Sequence, residues 1–217
     1  MNKALVPPAN KAPGRPKAAD LEARHQCLIE TAGQLFLKLG YGKVSLELIA
    51  REAHVAVRTI YVKFGGKSGL FQKVLIANRD RFITPNQMAE DRRPFKVVID
   101  EFGEHFFDMI TAPEALAVQR MVIAETKTNP EVGTSFYEAG PRQTREMLGH
   151  YFARPEIRAQ MRDDVDLELL PSFLIQCIMG DPFSRFLFDP AAQPRDEMLR
   201  LLHKRLALFY RSVLQQP

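Results

Sequence analysis

The chain has 217 residues, 46% hydrophobic and 26% charged, with a formal net charge of +4; this balance can fill a globular core and excludes a disordered or fibrous chain. Lys and Arg outnumber Asp and Glu by 13 to 6 in residues 1–80 but are outnumbered 17 to 20 in residues 81–217, the distribution expected if only the first part meets a polyanion. No stretch approaches a membrane span and the polar, proline-bearing start lacks a signal-peptide core, so a cytoplasmic protein is expected.

Residues 1–18 form a basic arm rich in proline and lysine. Two readings of Pro13-Gly14-Arg15-Pro16-Lys17 stand side by side. An extended Arg15 between Gly and Pro suits insertion into a narrow A·T-rich minor groove, whereas a merely solubilising tail has the same composition. The first helix is predicted from near Asp20 to Leu39, with Leu28, Ala32, Leu35, Phe36 and Leu39 at helical spacing and Gly40 as its stop. Cys27 lies in it; Cys177 is the other cysteine. Far apart in apolar helical patterns, both read as buried free thiols.

A second helix opens at Ser45, whose hydroxyl can cap an unpaired amide, with Glu47 suited to the positive helix end. Leu46, Ile49, Ala50 and Ala53 form its apolar stripe. Ala53-His54-Val55-Ala56 leaves room only for a tight turn before a third helix, Val57 to Phe64. Such a pair is a helix-turn-helix. At ~100° per residue, Ile60 and Phe64 point inward and Val57 falls beside them, while Arg58 and Val62 point almost oppositely, flanked by Thr59, Tyr61 and Lys63. That outer face suits a major groove. Arg58 fits a guanine edge, Val62 a thymine methyl, and Thr59, Tyr61 and Lys63 the phosphates on either side.

A fourth helix begins near Lys67 and carries Leu70, Phe71, Val74, Leu75 and Phe82 inward. Beyond it, proline and acidic starts predict helices over Pro94–Ile110, Pro113–Thr128, Pro130–Phe152 with a break at Gly140-Pro141, Val165–Met179 and Pro194–Leu214. No strand-length alternating segment stands out, so the fold class is all-α. The expected division is a basic arm at 1–18, a three-helix DNA-binding domain at 19–66, and a helical body at 67–217 whose residues 67–90 form the connecting helix.

The run A-H-V-A-V-R-T-I-Y-V-K-F-G-G-K-S-G-L-F (residues 53–71), together with Gly-Tyr-Gly-Lys-Val-Ser (40–45), resembles the DNA-binding signature of the TetR/AcrR family of bacterial transcriptional regulators over about fifty residues. Residues 118–152 and 166–188 resemble more loosely the AefR-like C-terminal domain of some members. The resemblance implies a transcriptional regulator in which Ser45, Thr59, Tyr61 and Lys67 contact phosphates and the outward face of the third helix reads bases. Two residues depart from the family pattern. His54 stands where glycine is usual, in a turn position that calls for positive φ; Ala56 replaces a serine or threonine cap, at a local cost of roughly 1 kcal/mol.

The family resemblance further implies a homodimer on a palindromic operator, since two heads related by a two-fold axis meet half-sites ~34 Å apart. Leu169, Phe173, Cys177, Leu199, Leu202, Leu206 and Phe209 form late apolar stripes that read either as this interface or as intramolecular core. It implies as well a small-molecule cavity in the body whose occupation releases DNA. Phe102, Phe106, Met109, Met121, Phe136 and Tyr137, with His105, Arg120 and Glu125 as polar points, can line such a pocket or simply form core.

No catalytic residue, metal or cofactor is expected. Gly65-Gly66-Lys67-Ser68 lacks the glycine a phosphate loop needs at position 61, occupied by Tyr61, and the strand before it. Glu101, His105 and Asp108 share a helical face with ligand-like spacing; a metal- or ligand-binding site or an enzyme centre there is the alternative reading, beside a plain solvated face.

Overall fold

Local chain signals set most of the helix ends in the structure, a computed structural model that describes residues 18–82, 88, 90–188 and 194–215. The arm around Arg15 lies outside the described residues. Helix α1 (Ala18–Leu39) stops at Gly40, whose φ of 85° suits glycine and whose N–H donates to the Phe36 carbonyl at 3.0 Å. Then come α2 (Leu46–Glu52), α3 (Val57–Phe64) and α4 (Lys67–Arg79). The Ser45 hydroxyl caps α2 by accepting from the Leu48 N–H at 3.1 Å.

The body is built from α5 (Phe95–Thr111), α6 (Pro113–Glu125), α7 (Pro130–Tyr137), α8 (Gln143–Phe152), the short α9 (Pro155–Arg158), α10 (Leu170–Phe188) and α11 (Arg195–Val213). Proline opens α6, α7 and α9 at their first turn, where its missing N–H costs nothing. The expected break at Gly140-Pro141 is a π-helical turn, Glu138–Arg142, that joins α7 to α8 without interrupting the rod. Among the described residues every named element is a helix, and the sole bridge is Met161 with Leu214.

Helix α10 differs from expectation at both ends. It starts at Leu170, not Val165, and runs on to Phe188 past a kink at Gly180, where φ is 52°. Arg205 holds the kink. Its Nε donates to the Cys177 carbonyl at 2.6 Å and its Nη2 to the Ile178 carbonyl at 3.0 Å, satisfying carbonyls that the kink frees. A Cβ at residue 180 would stand 2.8 Å from that Nε.

Two hydrophobic clusters organise the packing. One lies in the body, around Phe95, Ile99, Phe106, Leu148, Phe152, Leu174, Ile178, Leu202, Leu206 and Phe209. The other begins in the head with Leu28, Phe36, Tyr41, Ile49, Ile60, Leu70 and Phe71, but does not end there: Val118 and Val122 of α6 and Val132 of α7 belong to it. Head and body therefore share a core. Phe36, Tyr41 and Phe71 pack ring on ring at 5.3–5.4 Å and pin the α1–α2 turn to α4.

Three expectations are corrected here. Leu202, Leu206 and Phe209 are fully buried within the protomer, because the apolar stripe of α11 faces α5 and α10 of its own chain. Cys27 is exposed, lying one position off the buried Leu28 stripe; Cys177 is half-buried, and both are free thiols. Phe82 follows the last turn of α4 and is 36% exposed, so it does not extend the inward face of that helix.

Candidate nucleic-acid interface and ligand cavity

The sequence of α3 sorts its side chains by angle. Ile60 is fully buried and Phe64 half-buried, whereas Arg58 and Lys63 are exposed, Tyr61 is 58% exposed and Val62 70%. Thr59 is half-buried on the flank. An exposed valine between a guanidinium and an ammonium gains nothing from water. It forms part of a convex polar ridge with one methyl-bearing knob.

The turn into α3 carries both irregularities anticipated from the sequence. His54 has φ 53°, a left-handed conformation that L-residues adopt at a cost. Ala56 caps α3 with no side-chain bond. At its far end α3 stops at Gly65 (φ 75°), and Gly66 (φ 122°) turns the chain directly into α4. Gly69 makes this reversal fit: a Cβ there would overlap the Phe64 carbonyl oxygen. Nothing in the local pattern marks Gly69 as special, because the clash is with a neighbouring helix.

Lys67, at the start of α4, does more than face outward. Its ammonium donates to the Val44 carbonyl at 2.8 Å and lies 4.3 Å from the Tyr41 ring centroid. Burial pushes its pKa down, partly offset by Glu131 and Glu125. With Tyr61, Gly65, Gly66 and Ser68 it borders a shallow depression at the α4 N-terminus. Ser45 remains exposed while its hydroxyl caps α2, and Glu47 is held below the usual carboxylate range by its own N–H and the Ser45 hydroxyl.

In the body, a cavity of about 270 Å³ opens between α4, α5, α6, α8 and α10. Of the nine residues expected to line a pocket, Phe106, Met109 and Phe136 do so. The other six lie elsewhere. Phe102 is buried one turn away, stacked on Phe106 at 5.6 Å. His105 is exposed, and Met121 packs against the head cluster. Arg120 donates to the Phe186 and Leu187 carbonyls at 2.8 and 2.9 Å. Glu125 accepts from Asn129 at 2.8 Å beside the Gly40–Gly42 turn. Tyr137 is half-exposed with the Arg145 guanidinium over its ring.

Sequence reasoning missed the rest of the wall. Leu75, Asn78 and Arg79 come from α4, Ala115, Val118 and Gln119 from α6, Thr144 and Arg145 from α8, and Ile175, Met179 and Phe183 from α10. Of these, helical spacing in α4 pointed only Leu75 inward, and to no particular space. The trio Glu101, His105 and Asp108 is not convergent: Glu101 pairs with Arg93 at 2.7 Å and Asp108 with Arg195 at 2.7 Å. Among the described residues no helix is long and apolar enough to cross a membrane.

The late apolar stripes divide by exposure. Leu169 is 64% exposed and Phe173 43%, and Leu199 and Cys177 are half-buried. Leu208, on the outer side of α11, is also exposed.

Comparison with known proteins gives a consistent result. A family model described as bacterial regulatory proteins, tetR family, matches residues 28–74, and one described as the AefR-like transcriptional repressor C-terminal domain matches residues 98–211. The chain is 25% identical over 175 residues to the HTH-type transcriptional repressor ComR of Escherichia coli, covering 78% of this chain and 81% of that protein. Among solved structures, a TetR-family regulator from Mesorhizobium loti superposes with a TM-score of 0.72 at 20% identity, over 89% of this chain and 98% of that one. The flavonoid-responsive regulator FrrA superposes with a TM-score of 0.70 at 20% identity, over 90% and 100% of the two chains.

Proposed function

The chain belongs to the TetR family of DNA-binding transcriptional regulators and carries an AefR-like C-terminal domain, and from that premise we propose that it is a dimeric cytoplasmic repressor, released from a palindromic operator when a small molecule fills the body cavity. The observation that carries the proposal is the two-sidedness of α3, with Ile60 fully buried beneath an exposed Val62. On this reading Arg58 and Val62 read base edges, while Ser45, Thr59, Tyr61, Lys63 and Lys67 hold phosphates, and Arg15 of the arm reaches the adjacent minor groove. The head at 19–66 reads DNA and the body at 67–217 senses the ligand and dimerises.

Helix α4 supplies the coupling. It packs on α1 and α3 at the head and on α7 and the π turn in the body, and its Leu75, Asn78 and Arg79 form one wall of the cavity. A ligand that fits better when α4 is displaced favours a head spacing mismatched to successive major grooves; its differential affinity for the two states sets how far DNA is released. Exposed Leu169 and Phe173, with half-buried Cys177 and Leu199, offer a second copy an apolar surface.

The test is selection of bound fragments from random duplex DNA followed by a salt titration of the winner. A palindrome should emerge, and its affinity should fall with a log–log slope of about −0.9 per phosphate bound. Binding that ignores sequence, or that survives rising salt unchanged, overturns the proposal.

A further inference from the structure

We propose that the cavity is built for an amphipathic acid, an apolar ring or chain bearing a carboxylate, and that Arg145 is the residue that anchors its charge. This deepens the reading of the cavity as the effector site and rests on it.

The cavity wall contains two guanidinium groups, those of Arg79 and Arg145, and no carboxylate side chain. Arg79 is already committed. Its Nη2 and Nε bond Asp80 at 2.8 and 3.0 Å, and its Nη1 donates to the Ala139 carbonyl at 3.1 Å. Arg145 is not so engaged: its Nη2 is buried with no hydrogen-bond partner among the described residues.

The carboxylates nearest to it in sequence are taken. Glu138 and Glu146 both pair with Arg142, at 2.6 and 2.8 Å. Arg145 instead lies over the Tyr137 ring at 5.0 Å, a contact that holds the guanidinium in place without neutralising it. The residue as a whole is half-buried, but a donor shut away from water is costly to leave unfilled, and an anion would complete it. A guanidinium is a planar fork, and that shape takes a carboxylate through two parallel bonds.

The remaining polar groups do not offer the opposite charge. Thr144 donates to the Gly140 carbonyl at 3.1 Å and Gln119 to the Ile110 carbonyl at 3.3 Å. Phe106, Met109, Phe136 and Phe183 supply the apolar walls for the rest of the ligand. A cationic molecule would meet the unpaired charge of Arg145 and no carboxylate on the wall to offset it.

The experiment is calorimetric titration of the full chain with decanoate and naphthylacetate, each beside its neutral amide. At least one acid should bind about 10- to 100-fold more tightly than its amide, the difference expected of a charge-assisted bond. Arg145→Met should bring that acid and its amide to within about twofold, and Arg145→Lys should keep part of the preference. Neither acid exceeding its amide in the unmodified protein overturns the inference, as does an acid preference that survives Arg145→Met.

The same ligands are then added to the operator complex. Amides that bind as well as acids and release DNA would sink the anion site alone and leave effector control standing. Acids that bind with the expected preference yet leave operator occupancy unchanged would sink effector control and leave the anion site.

Discussion

Ile60 and Val62 stand two residues apart and do opposite work. Truncating Ile60 to alanine opens a cavity beneath the recognition helix, so Ile60→Ala should lower stability in chemical denaturation by about 2–5 kcal/mol and abolish operator binding. Arg58→Ala removes an exposed side chain; its melt should be unchanged, while its discrimination between operator and scrambled duplex falls by about 1–3 kcal/mol for each guanine that the guanidinium no longer bonds. Lys67→Ala should weaken all duplexes alike and also destabilise the head, since its ammonium holds the Val44 carbonyl. Equal loss of discrimination from Arg58→Ala and Lys67→Ala in competition binding would contradict these roles. The orientation of α3 was legible because a period of ~100° and two apolar anchors fix a helix about its own axis. The tether of Lys67 was not, because its partner lies 23 residues back across a chain reversal.

At the scale of elements, the turn and its neighbours predict their own defects. Ala56 leaves α3 without a side-chain cap, so Ala56→Ser should raise stability by about 1 kcal/mol and slow amide exchange in the first turn of α3. Gly69→Ala should do the reverse. Its added methyl overlaps the Phe64 carbonyl, a backbone atom that cannot rotate away, and the thermal midpoint should drop together with DNA affinity. Helix limits at Gly40, Pro113 and Pro130 were readable because these residues act on the chain next to them. The continuation of α10 beyond Gly180 was hidden, because it depends on Arg205 from another helix satisfying the freed carbonyls. The cavity escaped for a related reason. Periodicity shows which side of a helix is apolar, not whether the space it faces is filled, and only three of the expected residues reach it.

For the whole molecule, buried phenols set an alkaline limit. Burial pushes the Tyr151 hydroxyl up to about 12; burial, reinforced by Glu131 and Asp100 respectively, carries Tyr41 and Tyr210 well above the usual phenol range. Their folded pKa values exceed the unfolded value of about 10. Stability is therefore intact below pH ~10 and declines as pH rises through the folded values. Ultraviolet phenolate titration should show these tyrosines ionising late and together with loss of helical dichroism; three independent early ionisations would contradict this.

The core shared between Val118, Val122 and Val132 and the head also bears on how such regulators can be recombined. A chimera that grafts residues 19–66 onto a foreign sensor would strip the underside of the reader of its lining and expose Phe36 and Leu28 to solvent. Grafts that carry α4 to α7 with the head, and so keep Leu70, Phe71 and those three valines, should stay soluble and cooperative. Head and body should therefore be exchangeable only as a pair, not as separate cartridges.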